Sequence, residues 1–167
     1  MRRKAPKANL VRTAVPGLAR GLVATVAMSV PMLVAGRRGV MGTQPPKRIA
    51  GRAAEAVDAD PADVDPVGQA KLNLASTLAH LGFGGSMGAL FSVLRARLRP
   101  PGPALAQGMA YGLAVWASSY KGWVPAIGAM PPAKRDRPGQ RRTILAAHLL
   151  YGGVLGLLDG KARRRDR

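Results

Sequence analysis

Four apolar segments alternate with charged and proline-rich stretches along the chain. They cover about residues 15–36, 72–94, 103–120 and 143–158. Each is close to the roughly 20 apolar residues with which an α-helix crosses a bilayer. A helix also satisfies all of its backbone hydrogen bonds within one segment, as lipid requires. The pattern therefore predicts an all-α protein with four transmembrane helices.

These segments divide the chain into two helical pairs between two basic tails. The tails are residues 1–14 and 161–167. The first pair occupies residues 15–99 and contains a long loop at 37–71, and the second pair occupies residues 100–160. We expect the long loop to be the main difference between the two pairs.

The long loop contains two predicted features, and a long helix follows them. Residues 46–57 are predicted to form a short surface helix with a proline as its first residue. The four aspartates at 58–65 are predicted to form a solvated turn, because the glycine and glutamate of an EF-hand calcium loop are missing. A helix over residues 66–99 would be about 50 Å long and would extend beyond the bilayer.

A sequence motif of eleven residues occurs twice, at 80–90 and 148–158, with six identical positions. The first and third segments also match, since Gly-Leu-Ala-Arg-Gly at 17–21 corresponds to Ala-Leu-Ala-Gln-Gly at 104–108. We therefore predict two tandem helical hairpins that form a parallel internal repeat, with both termini on one side of the membrane. A cleaved signal peptide in the first segment is the alternative, and it would break this symmetry.

The composition changes the expected kind of core. Apolar residues make up 47% of the chain but aromatic residues only 4%, and there are 21 glycines. Small residues allow membrane helices to approach one another closely. We predict that eight glycines with four-residue spacing pack helices together: Gly17, Gly21, Gly84, Gly88, Gly108, Gly112, Gly152 and Gly156.

The net charge of +18 lies almost entirely outside the apolar segments. Basic residues at the ends of spans set topology and contact anionic lipid headgroups, so we expect a lipid partner and no nucleic acid. The termini and central loop carry 13 basic residues against 11 in the other loops, which favours cytoplasmic termini.

Arg20 is expected to snorkel to the interface. Tyr120, Lys121 and Trp123 are expected to form an interfacial belt.

The two histidines need a separate explanation. Each is the first residue of one copy of the repeated motif. A polar group inside a membrane is costly and is often functional. Asn73 and Thr77 lie seven and three residues before His80, so they share its helical face. The candidate intramembrane polar site therefore consists of His80, His148, Asn73 and Thr77.

Three roles for the histidines remain open. Each imidazole can tether helices by hydrogen bonding a neighbouring carbonyl or hydroxyl group. The pair can instead line a pathway of a small transporter or channel and respond to protons. Two histidines on separate helices can also hold a haem iron. Two nitrogens are too few for a closed zinc site, so we predict no metal site.

No constellation of catalytic residues is visible. The chain has no cysteine, no phosphate-binding loop and no nucleophile elbow. Asp159 follows the fourth segment and is expected to be a boundary residue. We therefore expect a membrane protein without enzymatic activity or cofactor that acts through helix packing, with a second copy or a membrane partner.

The repeated His-Leu-x-Phe/Tyr-Gly-Gly-x-x-Gly motif, the Trp-Ala-Ser-Ser-Tyr-Lys-Gly-Trp run at 116–123 and the paired Pro-Pro motifs resemble a known group. They look like small bacterial inner-membrane proteins of unknown function, of the YagU type. The resemblance spans most of residues 15–160. It implies a multi-pass bacterial inner-membrane protein and nothing catalytic, and it carries over no site residue.

Overall fold

The computed structural model describes residues 10–40, 66–126 and 139–165. Within these ranges the protein is all-helical, as predicted, with 92% of residues in helices and no strand. The four main helices are α1 (Leu10–Arg37), α2 (Pro66–Leu98), α3 (Ala104–Ser118) and α4 (Gln140–Arg165). Of these, α1, α2 and α4 are long and apolar enough to cross a membrane.

Helices α1 and α2 pack against each other through glycines. A Cβ atom added to Gly21 would collide with the backbone at Gly84, and one added to Gly88 would collide with Gly21 itself. Gly84 faces the side chain of Thr25, whose hydroxyl donates to the Gly21 carbonyl oxygen at 2.7 Å. The missing side chains therefore allow the two backbones to touch.

Helices α3 and α4 pack in the same manner. A Cβ atom on Gly108 would collide with Gly152 and Gly156, and one on Gly112 would collide with the carbonyl oxygen of His148. All eight glycines that the sequence analysis selected thus lie at helix–helix contacts.

The two pairs join through α1 and α4, whereas α2 and α3 scarcely touch along their backbones. Side chains bridge the gap between α2 and α3. The Tyr111 hydroxyl donates to the Met87 carbonyl oxygen at 2.8 Å, and the Phe83 and Trp123 rings lie 6.0 Å apart. The bundle therefore has one open side, between α2 and α3.

The long helix predicted over residues 66–99 is confirmed, since α2 begins at Pro66 and ends at Leu98. Helix α1 begins at Leu10, before the predicted start at residue 15. The surface helix at 46–57 and the aspartate-rich turn at 58–65 lie outside the described residues.

Helix α3 ends its α-helical geometry after only 15 residues, and a π-helical turn follows at Ser119–Trp123. Gly122 has non-helical dihedral angles within this turn. The predicted interfacial belt is wrong for Tyr120, which is only 6% exposed and stacks on Trp116 at 5.6 Å. The π turn rotates this ring into the bundle, while Lys121 and Trp123 stay exposed.

Large apolar side chains cover the outside of the bundle. Exposed examples on each main helix include Val26, Leu78, Leu113 and Leu157. An apolar exterior of this extent is expected for a surface in contact with lipid and is unusual for a water-soluble monomer.

Candidate functional site

A single buried carboxylate joins three helices at one end of the bundle. Asp159 of α4 is the only acidic residue in the part of the chain that the structure describes, and its residue exposure is 0%. Its carboxylate accepts hydrogen bonds from four side chains, which together with it form the Asp159 cluster: Arg20, Ser92, Arg95 and Arg163.

The two carboxylate oxygens divide these partners evenly. Oδ1 accepts from Arg20 Nη1 at 2.9 Å and from Ser92 Oγ at 3.0 Å. Oδ2 accepts from Arg95 Nη1 at 2.6 Å and from Arg163 Nε at 2.8 Å. Since Arg20 lies on α1, and Ser92 and Arg95 on α2, the carboxylate ties both helices to α4. Hydrogen bonds between ions of this kind are stronger than neutral ones.

The Asp159 cluster is not electrically neutral. One carboxylate faces three guanidinium groups, so two positive charges are uncompensated among the described residues. The side chains of Arg20 and Arg95 are only 22% and 14% exposed. An excess of positive charge in a half-buried position attracts anions.

Small residues make this approach of polar groups possible. Gly17 of α1 lies directly against Ser92 of α2, where a Cβ atom would collide with the serine hydroxyl, so the missing side chain allows α1 and α2 to approach closely. On α4, Asp159 follows Gly152 and Gly156 by seven and three residues, so the carboxylate lies on the glycine face that packs inward.

Two members of the Asp159 cluster have partners that the sequence did not predict. Asp159 is not a boundary residue, because α4 continues to Arg165 and the carboxylate is fully buried. Arg20, which was expected to snorkel to the interface, pairs with that carboxylate, and its side chain is 22% exposed. The position of Asp159 on the glycine face of α4 was the signal that could have identified it.

Gln107 links the Asp159 cluster to the turn between α2 and α3. Its side-chain oxygen accepts from Arg95 Nε at 2.6 Å. Its nitrogen donates to the carbonyl oxygens of three consecutive turn residues, Pro100, Pro101 and Gly102, at 2.9–3.1 Å. Arg95 is therefore held by both Asp159 and the turn.

The two histidines lie on different helices, His80 on α2 and His148 on α4, and both are half-buried. His148 Nδ1 donates to the Ile144 carbonyl oxygen at 2.8 Å within its own helix. Nearby, the Tyr151 hydroxyl crosses to α2 and donates to the Gly84 carbonyl oxygen at 2.7 Å. The hydrogen bond that joins α4 to α2 here is therefore made by Tyr151, whereas the one made by His148 stays within α4.

The other two candidate polar residues do not extend this pair. Thr77 is exposed, and its hydroxyl donates to the Asn73 carbonyl oxygen at 2.8 Å within α2. Asn73 is half-buried one helical turn earlier. Among the described residues, no group of three or more His, Cys, Asp or Glu side chains could hold a metal ion.

These observations define a class of protein: an all-α helical bundle with an apolar exterior, three helices long and apolar enough to span a membrane, and a charged cluster inside one end. The chain belongs to a family of unknown function (DUF6789), whose model matches residues 11–166. No curated protein and no solved structure matches the chain.

Proposed function

We propose that this protein is a non-enzymatic, multi-pass integral membrane protein that acts through helix–helix contacts, with a second copy of itself or with another membrane protein. The observation that carries the proposal is a pair of exposed stripes of small residues, one on α2 and one on α3. Their members are Ala75, Ala79, Gly82 and Ser86 on α2, and Ala106, Ala110, Ala114 and Ala117 on α3.

The spacing of each stripe supports this role. Residues three and four apart lie on one face of a helix, so each stripe forms a shallow groove. Such grooves let membrane helices approach closely, whereas bulky side chains suit contact with lipid. A Cβ atom added to Gly82 would meet nothing within 4 Å, so its face has no partner among the described residues. A second helix can therefore occupy that face.

Counting subunits by single-molecule photobleaching in liposomes tests the proposal. We expect the wild-type protein to form dimers or larger assemblies, and Ala110→Leu to shift the population towards monomers. Ala19→Leu is the matched control, because Ala19 is also exposed but lies on α1, outside both stripes. Monomers at every protein density, or equal effects of the two substitutions, would contradict a role for the stripes.

We also propose a parallel repeat in a bacterial inner membrane, with both termini in the cytoplasm. The packing of the two pairs supports the repeat. Gly84 of α2 contacts Thr25 of α1, and Gly152 of α4 contacts Gly112 of α3 in the same way. The arginines of the Asp159 cluster add positive charge to the end that carries α4's C-terminus, which favours the cytoplasm for that end. Fusions of a cytoplasm-active and a periplasm-active reporter to each terminus test this orientation.

A second candidate function is a small transporter or channel lined by His80 and His148. Its support is that both histidines are half-buried polar residues on helices long and apolar enough to span a membrane, where such groups are often functional. The variant with both histidines replaced by alanine, reconstituted in liposomes, should then lose solute or proton flux that the wild-type protein supports. Equal flux in both proteins, or none in either, would eliminate this candidate.

A further inference from the structure

An open cavity lies on the side of the bundle where α2 and α3 separate. Its volume is about 290 Å³, near the lower limit of about 300 Å³ that is typical of ligand sites. Its lining includes Phe91, Leu94, Arg95 and Leu98 from α2, and Gln107 and Tyr111 from α3. Because Phe91 and Leu98 are seven residues apart, the α2–α3 cavity follows the axis of α2 for about 10 Å.

Three residues of the lining carry polar groups, and these groups are already bonded elsewhere. Arg95 donates to Gln107 and Asp159, and its guanidinium lies 5.7 Å from the centre of the Phe91 ring. The Gln107 nitrogen donates to three carbonyl oxygens of the turn, and the Tyr111 hydroxyl donates to a carbonyl oxygen of α2. The surface that the cavity offers to a ligand is therefore apolar.

Aromatic side chains set the shape of this space. The rings of Phe91 and Tyr111 lie between α2 and α3, with their centres 5.0 Å apart. Further from the turn, the rings of Phe83 and Trp123 meet across the same gap at 6.0 Å. Side chains therefore bound the cavity at its inner end, whereas its other end lies beside the turn at residues 99–103.

The outer wall of the cavity belongs to the apolar surface of the bundle. Leu94 and Leu98 are 36% and 70% exposed, so this wall continues onto the outside. Water suits such a space poorly, since a buried water needs about two to four polar partners, whereas apolar molecules enter apolar cavities of as little as about 150 Å³. An unfilled space also forfeits the van der Waals contacts of its lining. In a bilayer, the apolar group within reach is an acyl chain.

We infer that the α2–α3 cavity binds one acyl chain of a membrane phospholipid, which lies along the two helices with its headgroup beside the turn. The site recognises the chain and not the headgroup, because the polar groups of the lining are engaged within the protein. The bound chain completes the packing between α2 and α3, where the helices lack the glycine contacts of the other pairs. This inference rests on the membrane location in the proposed function but not on the small-residue stripes.

Native mass spectrometry of the detergent-purified full chain, incubated with dioleoylphosphatidylcholine, tests the site. We expect one lipid molecule to stay bound at detergent concentrations that strip lipid from the rest of the surface. Leu94→Trp fills the cavity without touching any hydrogen bond of the Asp159 cluster, and it should lose this lipid. Leu90→Trp is the matched control, because it places the same ring one turn earlier at an exposed position outside the cavity, and it should keep the lipid.

Competition separates recognition of the chain from recognition of the headgroup. Oleoyl lysophosphatidylcholine carries one acyl chain and should displace the retained lipid. Glycerophosphocholine is the same headgroup without a chain, and it should displace nothing at equal concentration.

Leu98→Trp covers the possibility that Leu94→Trp fails to fold. Leu98 is 70% exposed near the end of α2, so a larger ring is tolerated there while it narrows the mouth of the cavity. We expect reduced retention of the lipid with an unchanged circular dichroism spectrum.

Four results would overturn the inference. The first is a wild-type protein that loses all of its lipid as easily as Leu94→Trp does. The second is equal loss in Leu94→Trp and Leu90→Trp. The third is displacement by glycerophosphocholine as effective as that by the lysolipid, which would identify a headgroup site. The fourth is a lipid-free dimer that Leu94→Trp alone converts to monomers, which would assign the cavity to a second copy. Subunit counting with Ala110→Leu stays informative in each case, so failure of the acyl-chain site and failure of the proposed function are distinguishable.

Discussion

Replacing Asp159 by asparagine should destabilise the bundle strongly. Each carboxylate oxygen accepts two donors, whereas asparagine has only one oxygen. Its NH₂ group must therefore face two donor groups, whichever way the amide is oriented. The change also leaves three guanidinium groups without a counter-charge. Removal of one partner from a buried ion pair costs about 3–5 kcal/mol, and we expect a loss of unfolding free energy in that range.

The assay is reversible unfolding in mixed micelles, with increasing dodecyl sulfate followed by circular dichroism. Arg97→Gln serves as the control, because Arg97 is exposed and should change stability by less than about 0.5 kcal/mol. Replacing Arg20 by methionine in the Asp159→Asn background should recover part of the loss, since it removes one uncompensated charge. A double-mutant cycle should give a coupling of about 0.5–3 kcal/mol.

A loss of less than about 0.5 kcal/mol in Asp159→Asn would refute the reasoning, because surface substitutions have effects of that size. Strict additivity with Arg20→Met would refute the direct pairing of the two residues.

Two further predictions use matched residues in the same bundle. Gly152→Ala should destabilise the protein or prevent assembly of α3 with α4, because the added methyl group would collide with Gly108. Gly82→Ala should be tolerated, because its methyl group would enter open space. Equal unfolding curves for the two variants would contradict the backbone contact at Gly152. Tyr151→Phe should lose about 0.6 kcal/mol with its hydrogen bond to Gly84. Tyr120→Phe should cost nothing or stabilise, because that buried hydroxyl has no partner among the described residues; a larger loss there than in Tyr151→Phe would reverse this ranking.

The sequence predicts the helices well because their signals are local. Lengths, prolines and charge-free runs place α2 within one residue of its observed end. The glycines at 84 and 152 were likewise identifiable, since small residues four apart on one face of a membrane helix indicate close packing against another helix.

The Asp159 cluster was not predictable in the same way, because its members lie far apart in sequence. Arg20 and Asp159 are separated by 139 positions, and Ser92 and Asp159 by 67. Local pattern assigns each to the end of an apolar segment, and only the packing of three helices brings them together. The burial of Tyr120 was missed for another reason, since the π turn changes which side of α3 the ring occupies.

The central claim is that the bundle turns an apolar surface towards lipid and a polar cluster inward. Spin-label accessibility along the helices tests the outward surface most directly. The chain has no native cysteine, so single cysteines can be labelled without background. Labels at Val26, Leu78 and Leu150 should be accessible to oxygen dissolved in lipid and protected from a water-soluble nickel complex, while a label at Arg38 should show the reverse. High accessibility to the nickel complex at all four positions would contradict the account.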